Sequence, residues 1–325
     1  MVVAFLYIIT SINISEIISD LTKVDTRIII LSMVLVFLSF ALSAYRWQII
    51  TKEIGAEQSS KFFNSLGFCS LGFLAGLVIP SRLGYYGKAP LLTKYDGIPL
   101  SKGISAVNIE TLQDFFFLIL ATVVSLFILM GYHVNSTILS NGILVVSIIA
   151  VTLMFSFLFF HPTIILKFCK NIYDTHSRMN DSNRIVKWVK YGFFKIFQLI
   201  EDTHDLLLKR RLMGELFLIT IIYQLIMILG FFCVILSMGK FISIIYVFAI
   251  LIISTVIGIL SMIPGGFGSL DLSFIFFLHV GGLSLSESLD IAILWRFCII
   301  FPILSMAALF FIKTKCDCTI PTMEL

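Results

Sequence analysis

The sequence predicts an all-α polytopic membrane protein, a bundle of about seven to eight transmembrane helices that each need roughly 20 apolar residues to cross. Three observations predict it. Of the 325 residues, 59% are hydrophobic and only 13% charged, whereas soluble domains carry about a quarter charged residues. Apolar runs long enough to span recur from Arg27 onward. Two of them stop at Pro/Gly breaks, Ile79–Gly87 and Ile263–Gly268, with ionisable residues beside each. Broken helices persist at membrane depth only where protein or a wet cavity satisfies the freed backbone groups, so both read as interrupted or re-entrant segments.

Residues 1–325 read as a single multi-pass membrane domain of the cell membrane. The net charge of +4 is spread over loops, with no basic stripe on a soluble domain, so nucleic acid is not an expected partner. The six cysteines are scattered, mostly in apolar runs, and form neither a zinc pattern nor a disulfide framework. No metal and no cofactor are expected.

Taken in order, residues 2–9 are apolar but too short to span, so either the true start lies upstream or they end a shortened helix. Arg27 to Ile50 is the first full span. Tyr45-Arg46-Trp47 closes it, and Arg46 and Trp47 read as interfacial anchors at the headgroup level. Residues 62–79 form an apolar run with small residues that let helices approach closely. Pro80 ends it. Gly84 and Gly87 then loosen the backbone while Arg82, Lys88, Lys94 and Lys102 bring positive charge. A solvated cytoplasmic loop is the alternative reading of this stretch.

A helix starting near Ser101 carries Glu110 and Asp114 four residues apart, on one face, where like charges repel unless a cation or wet site relieves them. It continues as a span to Met130. Gly131–Gly142 reads as an external turn and 143–160 as the returning span. Residues 163–211, strongly basic from Lys167 on, read as a cytoplasmic amphipathic segment on anionic lipid. Glu201-Asp202-Thr203-His204-Asp205 within it reads as a solvated helix face, not a metal site.

Leu212–Met238 and Phe241–Met262 are further spans, with Gln224 expected in an interhelical hydrogen bond. Pro264-Gly265-Gly266-Phe267-Gly268 breaks the second. Leu270–Val280, with Asp271 near its start, is too short to span and suits a re-entrant half-helix. Residues 288–312 form the last span, with Arg296 too deep to stand without a carboxylate partner. The candidates are Asp271, Glu110 and Asp114. Ile79-Pro80-x-x-x-Gly84 matches Ile263-Pro264-x-x-x-Gly268, as in an internal repeat, and on that pattern Glu110 and Asp114 come first. Chance likeness between two Gly/Pro turns is the alternative.

At these residues the chain resembles the transmembrane region family of lysylphosphatidylglycerol synthases, also called flippase-like membrane proteins. The resemblance rests on Pro80-Ser81-Arg82-Leu83-Gly84 with Lys88, on Glu110-Thr111-Leu112-Gln113-Asp114, on Pro264 to Gly268 with Asp271, and on Trp295-Arg296. Two positions depart from the family pattern: Tyr85 stands where it has an acid and Thr111 where it has an arginine. The resemblance implies the lipid-translocating part without the soluble synthase domain. It implies partners among membrane lipids with anionic or lipid-phosphate headgroups, and a flippase or transporter of a phospholipid or polyprenyl-phosphate-linked lipid. Arg82, Gly84, Lys88, Glu110, Asp114, Pro264, Gly265, Gly266, Gly268, Asp271 and Arg296 are the candidate substrate-binding residues, with exposed N–H groups at the breaks suited to phosphate. No catalytic residue is assigned. The alternatives are a transferase acting on a lipid phosphate, with Glu110 and Asp114 holding Mg²⁺, and a structural protein that organises lipids or partners.

Overall fold

The computed structural model describes residues 24–57, 61–79, 81–131 and 201–319, all of them helical or connecting. The first helix, α1, runs Thr26–Glu53, with Asp25 accepting the Arg27 N–H at its start. Helix α2 covers Phe62–Val78, a 3₁₀ turn Ser81–Gly87, α3 Lys88–Asp96 and α4 Leu100–Gly131. Residues 201–208 are helical and lead to α5, Arg210–Ser237, and α6, Ile244–Leu260. A turn at Pro264–Gly266 precedes α7, Ser269–Val280, and α8, Leu285–Thr319.

Four of these are long and apolar enough to cross a membrane: Thr26–Glu53, Leu100–Leu129, Arg210–Ser237 and Leu285–Lys313. Phe62–Val78 and Ile244–Leu260 are apolar but shorter. The described residues therefore hold part of the expected seven to eight spans. The expected turn at 131–142 apart from Gly131, the span 143–160 and nearly all of the basic segment 163–211 lie outside them, as does the apolar run 2–9. At 12 residues and about 1.5 Å each, α7 is roughly 18 Å long, well short of a bilayer core of about 30 Å.

Outward faces carry large apolar side chains such as Leu31, Phe37, Phe127, Phe301 and Phe311, as lipid contact requires. Inside, α1 lies against α5 with Ser32 Oγ donating to the Gly230 carbonyl at 2.8 Å and Ser39 Oγ to that of Tyr223 at 3.0 Å. Lipid tails are as apolar as leucine, so close packing and such hydrogen bonds hold helices together more than a hydrophobic drive does. One core gathers Phe231, Phe274 and Trp295 from α5, α7 and α8. A second gathers Trp47, Phe68, Leu92 and Phe310 from α1, α2, α3 and α8, and a smaller third Phe117, Leu118, Ala121 and Ile252 from α4 and α6.

The stretch after Pro80 is not a solvated loop. Lys88, Ala89 and Leu92 are wholly buried, and the 3₁₀ turn lies directly on α2. A Cβ at Gly84 would overlap the backbone of Ala75 and Gly76, so only glycine permits this approach. The turn also touches the Pro264–Gly266 turn, so both breaks meet inside the bundle.

Candidate functional site

Two ion-pair clusters flank the meeting point of the breaks. The first is built on Arg46 of α1. Its Nη1 donates to Asp114 Oδ1 at 2.6 Å and to Thr220 Oγ1 at 2.7 Å, and its Nη2 to Glu110 Oε1 at 3.2 Å. The Tyr223 ring lies 5.0 Å away, and the Tyr223 hydroxyl donates to Asp114 Oδ1 at 2.5 Å. Lys88, the first residue of α3, pairs with the other oxygen of Glu110 and sits 4.2 Å from the centre of the Trp47 ring. The repulsion expected between Glu110 and Asp114 is thus relieved by Arg46, which bonds to both. Two cations and two carboxylates cancel.

This corrects the reading of Arg46 and Trp47 as interfacial anchors: Arg46 is 1% exposed and Trp47 fully buried. An aromatic-flanked arginine looks alike at a headgroup and inside a bundle. The signal that separated the two was the apolar pair Ile49-Ile50 beyond it, which keeps α1 in the bundle for another turn. Arg82 contributes its backbone to the 3₁₀ turn, while its side chain lies outside the described part.

The second cluster is built on Arg296 of α8. Nε donates to Asp271 Oδ1 at 2.7 Å and Nη2 to Asp271 Oδ2 at 3.1 Å, a bidentate fork. Nη1 donates to the Gly265 carbonyl at 2.9 Å and Nη2 to that of Gly266 at 3.4 Å, while the Phe267 ring lies 4.8 Å from the guanidinium carbon. Arg296 therefore does have a carboxylate partner, but it is Asp271 and not the first-ranked Glu110 or Asp114. The reason is local. The tight turn at Gly265 and Gly266, with φ of +59° and +64°, folds α7 back so that Asp271 and the turn's carbonyls face α8. Met262, just before it, is held at φ +52°, a strained conformation for a side-chain-bearing residue.

Each break thus carries its own couple with the signs exchanged. Lys88 follows the first break and meets Glu110 22 residues later; Asp271 follows the second and meets Arg296 25 residues later. The expected phosphate nest at the second break is mostly occupied. Gly266 N–H bonds to the Ile263 carbonyl, Phe267 N–H to that of Pro264, and Gly268 N–H to Asp271 Oδ2 at 3.0 Å.

Between the breaks lies a cavity of about 250 Å³, walled by Gly76 and Leu77 of α2, Tyr85, Gln224 of α5, Thr255 and Gly258 of α6, Gly265, Gly266, and Trp295 and Arg296 of α8. Its walls are otherwise apolar. Gln224 was expected to bridge helices, but its Nε2 bonds to the hydroxyl of its neighbour Tyr223 at 3.3 Å while the residue faces the cavity. Of the candidate residues, Gly265, Gly266 and Arg296 line this space. Gly84 and Asp271 support it from behind, the first against α2 and the second on Arg296. Lys88, Glu110 and Asp114 lie one layer out, behind Tyr85 and the Gln224–Tyr223 contact. Tyr85, Tyr223, Thr220 and Gln224 were missed as site residues, since a neutral polar residue carries no charge that has to be offset and so does not point to a site.

Residues 1–306 match the family described as Lysylphosphatidylglycerol synthase TM region. A UPF0104 membrane protein of Methanocaldococcus jannaschii is 25% identical over 285 residues, 83% of this chain and 81% of that protein. A UPF0104 membrane protein of Methanothermobacter thermautotrophicus is 24% identical over 305 residues, 88% of this chain and 85% of that one.

Proposed function

The chain is an integral, multi-pass membrane protein of the Lysylphosphatidylglycerol synthase TM region family, and from that premise we propose that it handles lipids, as a flippase or transporter acting in the cell membrane. The observation that carries the reading is the cavity between the breaks, with Arg296 in its wall. The Arg296 and Asp271 side chains are 19% and 22% exposed, against 1% for Arg46, so this pair is the one a ligand can reach. A guanidinium has five N–H groups, of which the fork and the two carbonyls use four, leaving one for a phosphate oxygen. The apolar remainder of the wall suits glycerol and the upper acyl carbons.

The transferase alternative loses support here. Glu110 and Asp114, its Mg²⁺ pair, place their oxygens on Arg46, Lys88 and Tyr223. Freeing them would strand buried cations, at about 3–5 kcal/mol for each broken pair.

Lipids retained by the full chain after extraction in mild detergent test the reading. Phospholipid or lipid phosphate is expected with the wild type and should be strongly reduced in the double variant Arg296→Met/Asp271→Asn. Equal retention by both would remove the cavity as the site.

A further inference from the structure

Resting on the transport reading, we propose that the protein couples lipid movement to protons, with Lys88 as the residue that carries one proton per cycle. Release of that proton unlocks the hairpin made of α2, the 3₁₀ turn and α3.

Lys88 is wholly buried at the start of α3, and its Nζ donates to Glu110 Oε2 on α4. Buried ion pairs seldom add net stability, because taking both charges out of water costs about as much as pairing them returns. An ionisable side chain at such a place in a membrane bundle is therefore a functional candidate by default. The surroundings are shaped to this side chain. Gly72 of α2 makes room for its stem, since a Cβ there would stand 3.1 Å from Lys88 Cγ. The Trp47 and Tyr85 rings lie 4.2 and 5.5 Å from Nζ.

The pair is also built so that the lysine can turn neutral. Arg46 Nη2 holds the other oxygen of Glu110 at 3.2 Å. A guanidinium keeps its proton, whereas a buried lysine can give its proton up. Glu110 therefore retains a cation when Lys88 is neutral. Among the described residues, the other ionisable groups facing the pair are Asp114 on α4, Cys69 on α2 and Tyr85 on the turn, with Tyr223 of α5 bonded to Asp114. A second observation points to the proton's acceptor. Arg46 Nε and Trp47 Nε1, beside the pair, are buried donors without an acceptor among the described residues. Buried donors are seldom left unpaired, and internal water is what commonly satisfies them. The Nζ–H bond breaks, its electron pair stays on nitrogen, and such a water takes the proton away.

The charge on Lys88 acts as a latch. Gly84 sets the turn directly on the backbone of Ala75 and Gly76, so α2, the turn and α3 shift together. Drawing a charged Lys88 away from Glu110 would leave a buried cation unpaired, whereas a neutral amine gives up only a hydrogen bond. Tyr85, in the same turn, stands in the cavity wall, so release of the hairpin reaches the lipid path.

The test uses the full chain in vesicles with traces of acyl-labelled phosphatidylethanolamine and a membrane-impermeant quencher outside. Rates are compared with both sides neutral, both sides mildly acidic, and a gradient between the two in each direction. One proton moved down one pH unit supplies about a 10-fold drive, and a gradient in one direction should realise at least about 3-fold of it over either symmetric condition. A protonophore should abolish the gain. Lys88→Arg, a cation that keeps its proton, should elute as folded protein and fall to the protein-free rate, and Lys88→Met should show no gain from the gradient. A wild type that moves lipid equally fast with and without the gradient overturns the coupling, and a Lys88 variant that keeps the gain overturns Lys88 as the carrier; the transport reading survives both. The wild-type comparison decides even where a variant fails to accumulate. If the wild type moves no lipid under any of these conditions, the transport reading fails and this inference falls with it.

Discussion

Replacing Arg296 with methionine keeps an unbranched apolar stem and removes the charge, the fork to Asp271 and the bonds to the Gly265 and Gly266 carbonyls. Breaking a buried pair from one side costs about 3–5 kcal/mol, because the other charge is left without its partner. Both side chains here keep about a fifth of their surface, and Asp271 retains the Gly268 N–H, so we expect the low end of that range. Asp271→Asn preserves an acceptor for Gly268 while removing the charge. The double variant should therefore recover roughly half of the loss, with a coupling energy of about 1.5–3 kcal/mol, in the range measured for groups in direct contact. Unfolding in mixed detergent micelles, followed by tryptophan fluorescence on the two single variants and the double, measures it. Arg296→Met combined with Glu110→Gln or Asp114→Asn should show no rescue, since those carboxylates pair with Arg46 and Lys88. A single variant as stable as the wild type, or rescue by Glu110→Gln in place of Asp271→Asn, would refute the assignment of partners.

The other predictions follow from the same geometry. Lys88→Met, which leaves Glu110 with Arg46 as its remaining cation at a site where the lysine has no exposure, should cost about 3 kcal/mol, the low end for a broken buried pair. Adding Glu110→Gln should restore accumulation, as read by fluorescence-detected size exclusion. Gly84→Ala should destabilise by about 1–3 kcal/mol because its methyl meets the backbone of α2. Gly87→Ala in the same turn has open space and an ordinary φ of −57°, so its melting temperature should match the wild type's. By the positive-inside rule the basic stretch from Lys167 to Arg211 is expected on the cytoplasmic side. In intact cells Ser140→Cys should therefore label with an impermeant thiol reagent and Ser182→Cys should not; the reverse pattern would invert the topology.

How legible each feature was in the sequence depended on the range of the interaction behind it. The long spans among the described residues and both breaks were legible, because hydrophobic length, proline and glycine act on the chain locally. Ile79 lies one residue past the end of α2 and Ile263 three residues past the end of α6. The short α7 was legible from the largely apolar 11-residue segment Leu270–Val280 and the glycines on either side. The need for a partner at Arg296 was legible too, since one charge inside an apolar run has to be offset somewhere. Its identity was not. Asp271, Glu110 and Asp114 are chemically equal in one dimension, and only the fold of the Gly265-Gly266 turn brings Asp271 to face α8. Arg46 was misread for a related reason. Flanking aromatics are as compatible with a buried cation stacked on Tyr223 as with one at a lipid headgroup, and the contacts to Glu110 and Asp114 span 64 and 68 residues.

Translocation by the cavity between the breaks is the central claim, and proteoliposomes test it most directly. The purified full chain is reconstituted into vesicles containing traces of acyl-labelled phosphatidylethanolamine, which leaves the headgroup free to enter a cavity of about 250 Å³. The loss of inner-leaflet protection against a membrane-impermeant quencher is then followed in time. The account predicts that the wild type exposes the protected pool at least 10-fold faster than protein-free vesicles. It also predicts that Arg296→Met/Asp271→Asn, confirmed as folded, falls back to the protein-free rate. If the double variant moves lipid as fast as the wild type, Arg296 and Asp271 only hold the turn to α8, and the cavity is not the path.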